Sequence, residues 1–234
     1  MPRIQWWLLS PLTLLATWSS HWLLTNTSTN SALAKSEPPA SVLVANRSNC
    51  NATEQEQAAL AYLNQARQNP QEIAQALGID LSEVTPRPPL VVDPILARVA
   101  KQRVEDFAAR NYVAHVDPDG IGPNRKVADA GYPLPSFYLD NPANNFIESL
   151  WAGKTFGDSF GFPTSGAQAI AALLIDRGTS PPGHRIHLLG LNELFSQHTE
   201  VGIGYLCVTN GNETSYYMAV LTAYKDRTTS SIDK

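Results

Sequence analysis

The stretch EVGIGYLCVTNGNETSYYMAVLTAY, Glu200 to Tyr224, decides the fold class. Two runs rich in β-branched and aromatic residues flank Asn210-Gly211, a pair suited to the positive φ angles of a tight hairpin turn. The stretch therefore reads as an antiparallel hairpin. Everything strongly periodic ahead of it reads as helix, and no strand–helix–strand alternation appears. Helices first and a hairpin last predict an α+β layered fold rather than a doubly wound sheet.

Working upstream, Thr53 followed by Glu56 is a capping-box signature. Leu60, Leu63, Ile73 and Leu77 mark one apolar face over the helix that follows, with Gly78 as its stop. A second helix starts where Asp93 can cap and Pro94 can occupy the first turn. Leu96, Val99, Ala100, Val104 and Phe107 recur on its apolar face, Arg98, Lys101, Arg103 and Glu105 are expected to face water, and the helix ends near Asn111. Shorter helices are predicted over Arg125 to Ala130, closed by Gly131, and over Ala167 to Ile175, closed near Gly178. Residues 133–166, with Pro133, Pro135, Pro142 and Pro163, read as long loops that could wall a cleft.

The chain of 234 residues is 43% apolar and 16% charged, which allows one sizeable core. Arg3 precedes an apolar run that ends, after a polar stretch, in Ala32-Leu33-Ala34, the small-x-small pattern of a cleaved secretory signal peptide. Ser10, Pro11, Ser19, Ser20 and His21 keep the run short of the ~20 apolar residues of a spanning helix, so no stable membrane insertion is expected after cleavage. The expected organisation is a signal peptide over 1–34, a Pro/Ser/Ala-rich linker over 35–52, the folded domain over 53–224 and a flexible tail over 225–234. The mature chain would carry 16 basic against 21 acidic residues, which argues against nucleic acid as a partner. Cys50 and Cys207 are the two cysteines of a chain read as secreted or periplasmic, so a disulfide between them is expected. Closing so long a loop is worth about 5 kcal/mol in the chain-entropy picture.

The chemistry-bearing residues are scattered. His115 stands just before the turn Asp117-Pro118-Asp119-Gly120, Glu148 lies inside the apolar run NNFIESLWAG, and His184 follows the Pro-Pro-Gly of SPPGHRIHLLG. Two imidazoles and a carboxylate can ligate a metal, serve as a general acid–base set, or satisfy one another beneath loops. Arg125 and Arg185 are read as loop anchors bonded to carboxylates or carbonyls, Trp151 as a core or cleft-wall residue, Glu200 as the start of a strand, and His187 and His198 as surface or loop residues.

Six segments in order resemble the CAP superfamily, the SCP-like or cysteine-rich secretory, antigen 5 and pathogenesis-related-1 proteins, in its bacterial form. They are LNQAR at Leu63, LVVDPILARVAKQRVEDFA at Leu90, AHVDPDGIGPNRKVADAGY at Ala114, ESLWAG at Glu148, LLIDRGTSPPGHR at Leu173 and EVGIGY at Glu200. The resemblance implies a three-layer α-β-α sandwich with a small antiparallel sheet and a cleft that gathers two histidines and acidic residues. His115, His184 and Glu148 match that cleft and would hold a divalent cation, Zn²⁺ or Mg²⁺. The second acid has no clear counterpart, Asp176 being the nearest candidate. No Gly-x-Ser-x-Gly elbow or His-Glu-x-x-His is present. The reading favoured at this point is an extracytoplasmic binding protein for a metal and a small apolar or cell-wall-derived ligand. Two alternatives are a metal-dependent peptide or ester hydrolase with Glu148 as general base, and a metal-free protein-interaction module.

Overall fold

The structure, a computed structural model, describes residues 51–157 and 163–226. The expected signal peptide, nearly all of the linker with Cys50, and most of the tail lie outside the described residues. Cys207 is not a free thiol, and its expected partner is among the residues not described.

The element order is α1 (Ala52–Gln68), α2 (Pro70–Leu77), β1 (Val91–Val92), α3 (Pro94–Arg110), α4 (Pro123–Asp129), β2 (Glu148–Phe156), α5 (Gly166–Ile175), α6 (Gly183–Leu189), α7 (Glu193–Ser196), β3 (Glu200–Asn210) and β4 (Glu213–Ala223). A 3-10 turn at Ser136–Leu139 lies between α4 and β2. The strands form one sheet in the order β1-β3-β4-β2. Its main ladders are antiparallel, as expected, while the two-residue β1 runs parallel to β3 and was not foreseen.

Alternation along the hairpin builds the layers. Val201, Ile203 and Tyr205 of β3, with Met218 and Val220 of β4, meet Leu63, Ile170 and Leu174 of α1 and α5. Ala219, Leu221 and Ala223 point the other way, onto Leu96, Ala100, Val104 and Phe107 of α3. The α-β-α layering implied at the sequence level is thus present. Gly202 and Gly204 fall on the α3 side, where an added Cβ would stand 2.1 Å from the Leu96 carbonyl carbon and 2.3 Å from the Ala100 carbonyl oxygen. Backbone packs on backbone there. Gly204→Ala is expected to lower stability by about 3 kcal/mol through overpacking, read as a shifted urea midpoint; a change under about 1 kcal/mol would show that α3 can give way.

Asp93 caps α3 with bonds to the amides of Ile95 and Leu96, and Asn111 closes it in the left-handed region, both as expected. The first predicted helix is instead two, broken at Asn69-Pro70, because the proline has no amide hydrogen to continue the helix and suits the first turn of α2. Its cap is Asn51 rather than Thr53, and Glu56 reaches Lys101 of α3 and the Tyr205 amide instead of closing a capping box. Within 133–166, nine residues expected to be loop form β2, paired along its whole length with β4. The run Trp151-Ala152-Gly153-Lys154 carries weak strand preference of its own, and the neighbouring ladder decides its conformation.

Candidate functional site

The first two residues of β2 organise the site. Alternation sends Glu148 to the α3 side with its partner Leu221, and Ser149 to the opposite side with Val220. Asn145 sets the start of the strand, accepting from the Ile147 and Glu148 amides and donating to the Glu148 carbonyl.

On the α3 side Glu148 meets Arg103. The guanidinium grips the carboxylate through Nε to Oε1 at 2.8 Å and Nη2 to Oε2 at 3.2 Å, with the two side chains 1% and 0% exposed. Arg103 was expected in water and is buried instead. Its position, three residues after Ala100 and four after Val99, is on the apolar face, so helical spacing carried the signal that its charge obscured. Nη2 also donates to the carbonyls of Ala114 and His115, and Nη1 to the Tyr112 hydroxyl. One arginine thereby ties the carboxylate to the loop that carries His115.

That loop reverses at Asp117, whose Oδ1 accepts from the amides of Asp119 and Ile121 while Oδ2 pairs with Lys126. Burial would raise the Asp117 carboxyl, but Lys126 and these amides lower it to about 2. The turn holds His115 so that its Nδ1 donates to Glu148 Oε2 at 3.0 Å.

A matching pair stands on the other wall. Asp176 closes α5 at φ 51°, accepts from the His184 amide at 2.9 Å, and receives His184 Nδ1 at 2.8 Å and Thr179 Oγ1 at 2.6 Å. Burial opposes its ionisation, and the bonds from Thr179 and His184 outweigh that, leaving its carboxyl lowered. Arg185 donates to the Leu174 and Ile175 carbonyls at the end of α5, the carbonyl-anchoring role expected of it. Arg125 pairs with Asp129 one turn along α4.

His115, Glu148, Ser149, His184 and His187 share one cleft of about 310 Å³ with Phe146, Ile186 and Phe195 on its apolar side. The His115 and His184 side chains are 38% and 31% exposed, and neither Nε2 has a partner among the described residues. A larger groove of about 690 Å³ runs between α3 and α4, but its charges are spent on one another, Arg110 on Asp106 and Asp119 and Lys126 on Asp117. The smaller cleft holds two imidazole nitrogens without a partner among the described residues.

Of the expected four, the carboxylates Glu148 and Asp176 do not offer a free oxygen to a divalent cation: both sit behind their imidazoles with every oxygen engaged, and Arg103 already balances Glu148, which leaves the Nε2 atoms of His115 and His184 as the groups facing the cleft. Among the described residues no group of three or more His, Cys, Asp or Glu side chains is gathered to hold a metal ion. The same burial turns Glu148 away from the general-base role considered for it.

Behind the cleft lies a chain of side chains that sequence reasoning missed. His187 and His198, expected at the surface, are both buried. Ser149 Oγ meets His187 Nδ1 at 2.7 Å, His187 Nε2 meets Thr222 Oγ1 at 2.7 Å, Thr222 Oγ1 meets His198 Nδ1 at 2.7 Å, and His198 Nε2 meets the Tyr138 hydroxyl at 3.0 Å. Burial holds His187 well below the usual imidazole range and, with a smaller push from Arg67, brings His198 down to about 3. Both imidazoles are neutral at ordinary pH.

No family model matches the chain, and no curated protein matches it. Among solved structures it is similar to an extracellular protein containing an SCP domain from Bacillus anthracis str. Ames, at 17% identity and a TM-score of 0.36. The match covers 74% of this chain and 41% of that one, so the chain spans less than half the length of that protein.

Proposed function

We propose that the chain is an extracytoplasmic CAP/SCP-type binding protein whose cleft takes a small molecule with a polar head and an apolar body. One observation carries the reading: two imidazoles, each oriented from behind by a buried carboxylate, border the same cleft with Nε2 unpaired among the described residues. With Nδ1–H given to the carboxylate, each neutral imidazole offers its Nε2 lone pair to a hydrogen on the ligand. Phe146, Ile186 and Phe195 supply the apolar wall for the rest of it. The ordered CAP-type motifs and the signal-peptide pattern support export as the context. The metal-dependent hydrolase has less support, because among the described residues no three ligand side chains are gathered.

The test is a titration of 1-hexanol into the full chain, followed through backbone amide shifts. Saturable shifts confined to residues around 115, 145–149 and 183–187, at least about tenfold weaker in the folded His115→Ala/His184→Ala variant, are expected. Shifts elsewhere, or none, overturn the reading. A parallel titration of Zn²⁺ is expected to give no stoichiometric binding; tight binding lost in the double variant would restore the metal.

A further inference from the structure

The buried chain behind the cleft has a direction, and hydrogen counting sets it. Five groups, Ser149, His187, Thr222, His198 and Tyr138, are joined by four hydrogen bonds. Each hydroxyl brings one hydrogen and each neutral imidazole brings one, so five hydrogens meet four bonds and one is left over. It cannot come from a histidine, since an imidazole accepting at both nitrogens would be an anion. It belongs to Tyr138, Thr222 or Ser149.

All three residues are buried, Tyr138 at 0% and Thr222 and Ser149 at 1% exposure, and among the described residues none of their hydroxyls has an acceptor outside these five groups. Leaving the Tyr138 or Thr222 hydrogen over would strand a buried donor that no ligand can reach. Of the three, Ser149 alone lines the cleft, where a ligand atom can accept its hydrogen. The surplus hydrogen therefore sits on Ser149. Tyr138 gives to His198 Nε2, His198 Nδ1–H to Thr222, Thr222 to His187 Nε2, and His187 Nδ1–H to Ser149 Oγ.

We infer that Ser149 is a hydrogen-bond donor of the cleft, held in that sense by Tyr138 through two imidazoles, and that the ligand head it serves is a hydroxyl. The ligand class rests on the binding function proposed above. The Nε2 atoms of His115 and His184 call for a hydrogen on the ligand, and Ser149 calls for a lone pair. One hydroxyl offers its hydrogen to one of these two Nε2 atoms and a lone pair to Ser149, whereas an ammonium lacks the acceptor and an ether lacks the donor. Specificity of this kind rests on donors and acceptors whose sense is set before the ligand arrives.

Two independent measurements test the direction of the chain and the ligand class. In the unliganded full chain at pH 7, long-range ¹H–¹⁵N correlations of the histidine rings are expected to show His187 and His198 both neutral with the hydrogen on Nδ1. Nε2–H in either ring, or an imidazolium in either, overturns the inference whatever the cleft binds. In the binding measurement, the Ser149→Ala variant is expected to take up 1-hexanol about fivefold less tightly than the unaltered chain, the effect of one hydrogen bond. Equal binding overturns the donor role even with the expected tautomers. Failure of the unaltered chain to bind 1-hexanol overturns the hydroxyl assignment and the binding reading, while the ring spectra still decide the direction of the chain.

Discussion

Arg103→Met is expected to cost the fold about 3–5 kcal/mol, because it removes the one permanent positive charge paired with the buried Glu148 carboxylate and leaves it only the His115 ring. The two side chains are almost fully buried, and methionine cannot replace the two bonds that the guanidinium makes to the carboxylate. The loss extends beyond the pair, since Arg103 also satisfies the Ala114 and His115 carbonyls and the Tyr112 hydroxyl. Most of the penalty comes from stranding one charge rather than from the strength of the bridge. Arg103→Met combined with Glu148→Met is therefore expected to recover much of the stability lost in the single variant. Urea denaturation of the two variants beside the unaltered chain measures both. A single-variant loss below about 1 kcal/mol would mean that the carboxylate finds water or protonates at little cost, and the account of the buried pair would fail.

Acidification from pH 7 to pH 5 is expected to remove about 4 kcal/mol of stability, about 2 kcal/mol for each of His187 and His198. Unfolded imidazoles take up protons near pH 6.5, whereas in the folded chain burial keeps both neutral far below that. Between those values the unfolded state binds more protons, so stability is full above about pH 6.5 and falls as the pH drops toward the folded value, about 3 for His198. The lowered carboxyls of Asp117 and Asp176 contribute below about pH 4, outside this window. Urea midpoints at pH 7.5 and 5.0 test it, with the His187→Asn/His198→Asn variant expected to show a much flatter profile. A flat profile in the unaltered chain would mean that the two rings already exchange protons with solvent. The same measurement bears on the cleft, since a proton on either ring would break the directional chain that ends at Ser149.

Local chemistry settled a good part of this in advance. The Asn210-Gly211 turn between two β-rich runs could hardly be anything but a hairpin, Asp93-Pro94 could cap and open α3, and the Asp117-Pro118-Asp119-Gly120 turn could reverse the chain after His115. Such features were legible because the atoms responsible lie within a few residues of one another. His115, His184, Glu148 and Asp176 were legible too, as residue types and as positions in the resemblance. Their roles were not: the sequence offered four ligands, and the structure places two carboxylates behind two imidazoles. Arg103, β2 and the buried pair His187 and His198 were decided only by the tertiary structure. A charged residue on an apolar helical face reads as solvated until a buried carboxylate arrives from another strand. A weakly strand-forming run pairs only when a ladder is already beside it, and a histidine is neutral and structural only once hydroxyls from distant segments enclose it. In each case the sequence determines what a residue can donate, accept or bury, while partners dozens of residues away determine which of these it does.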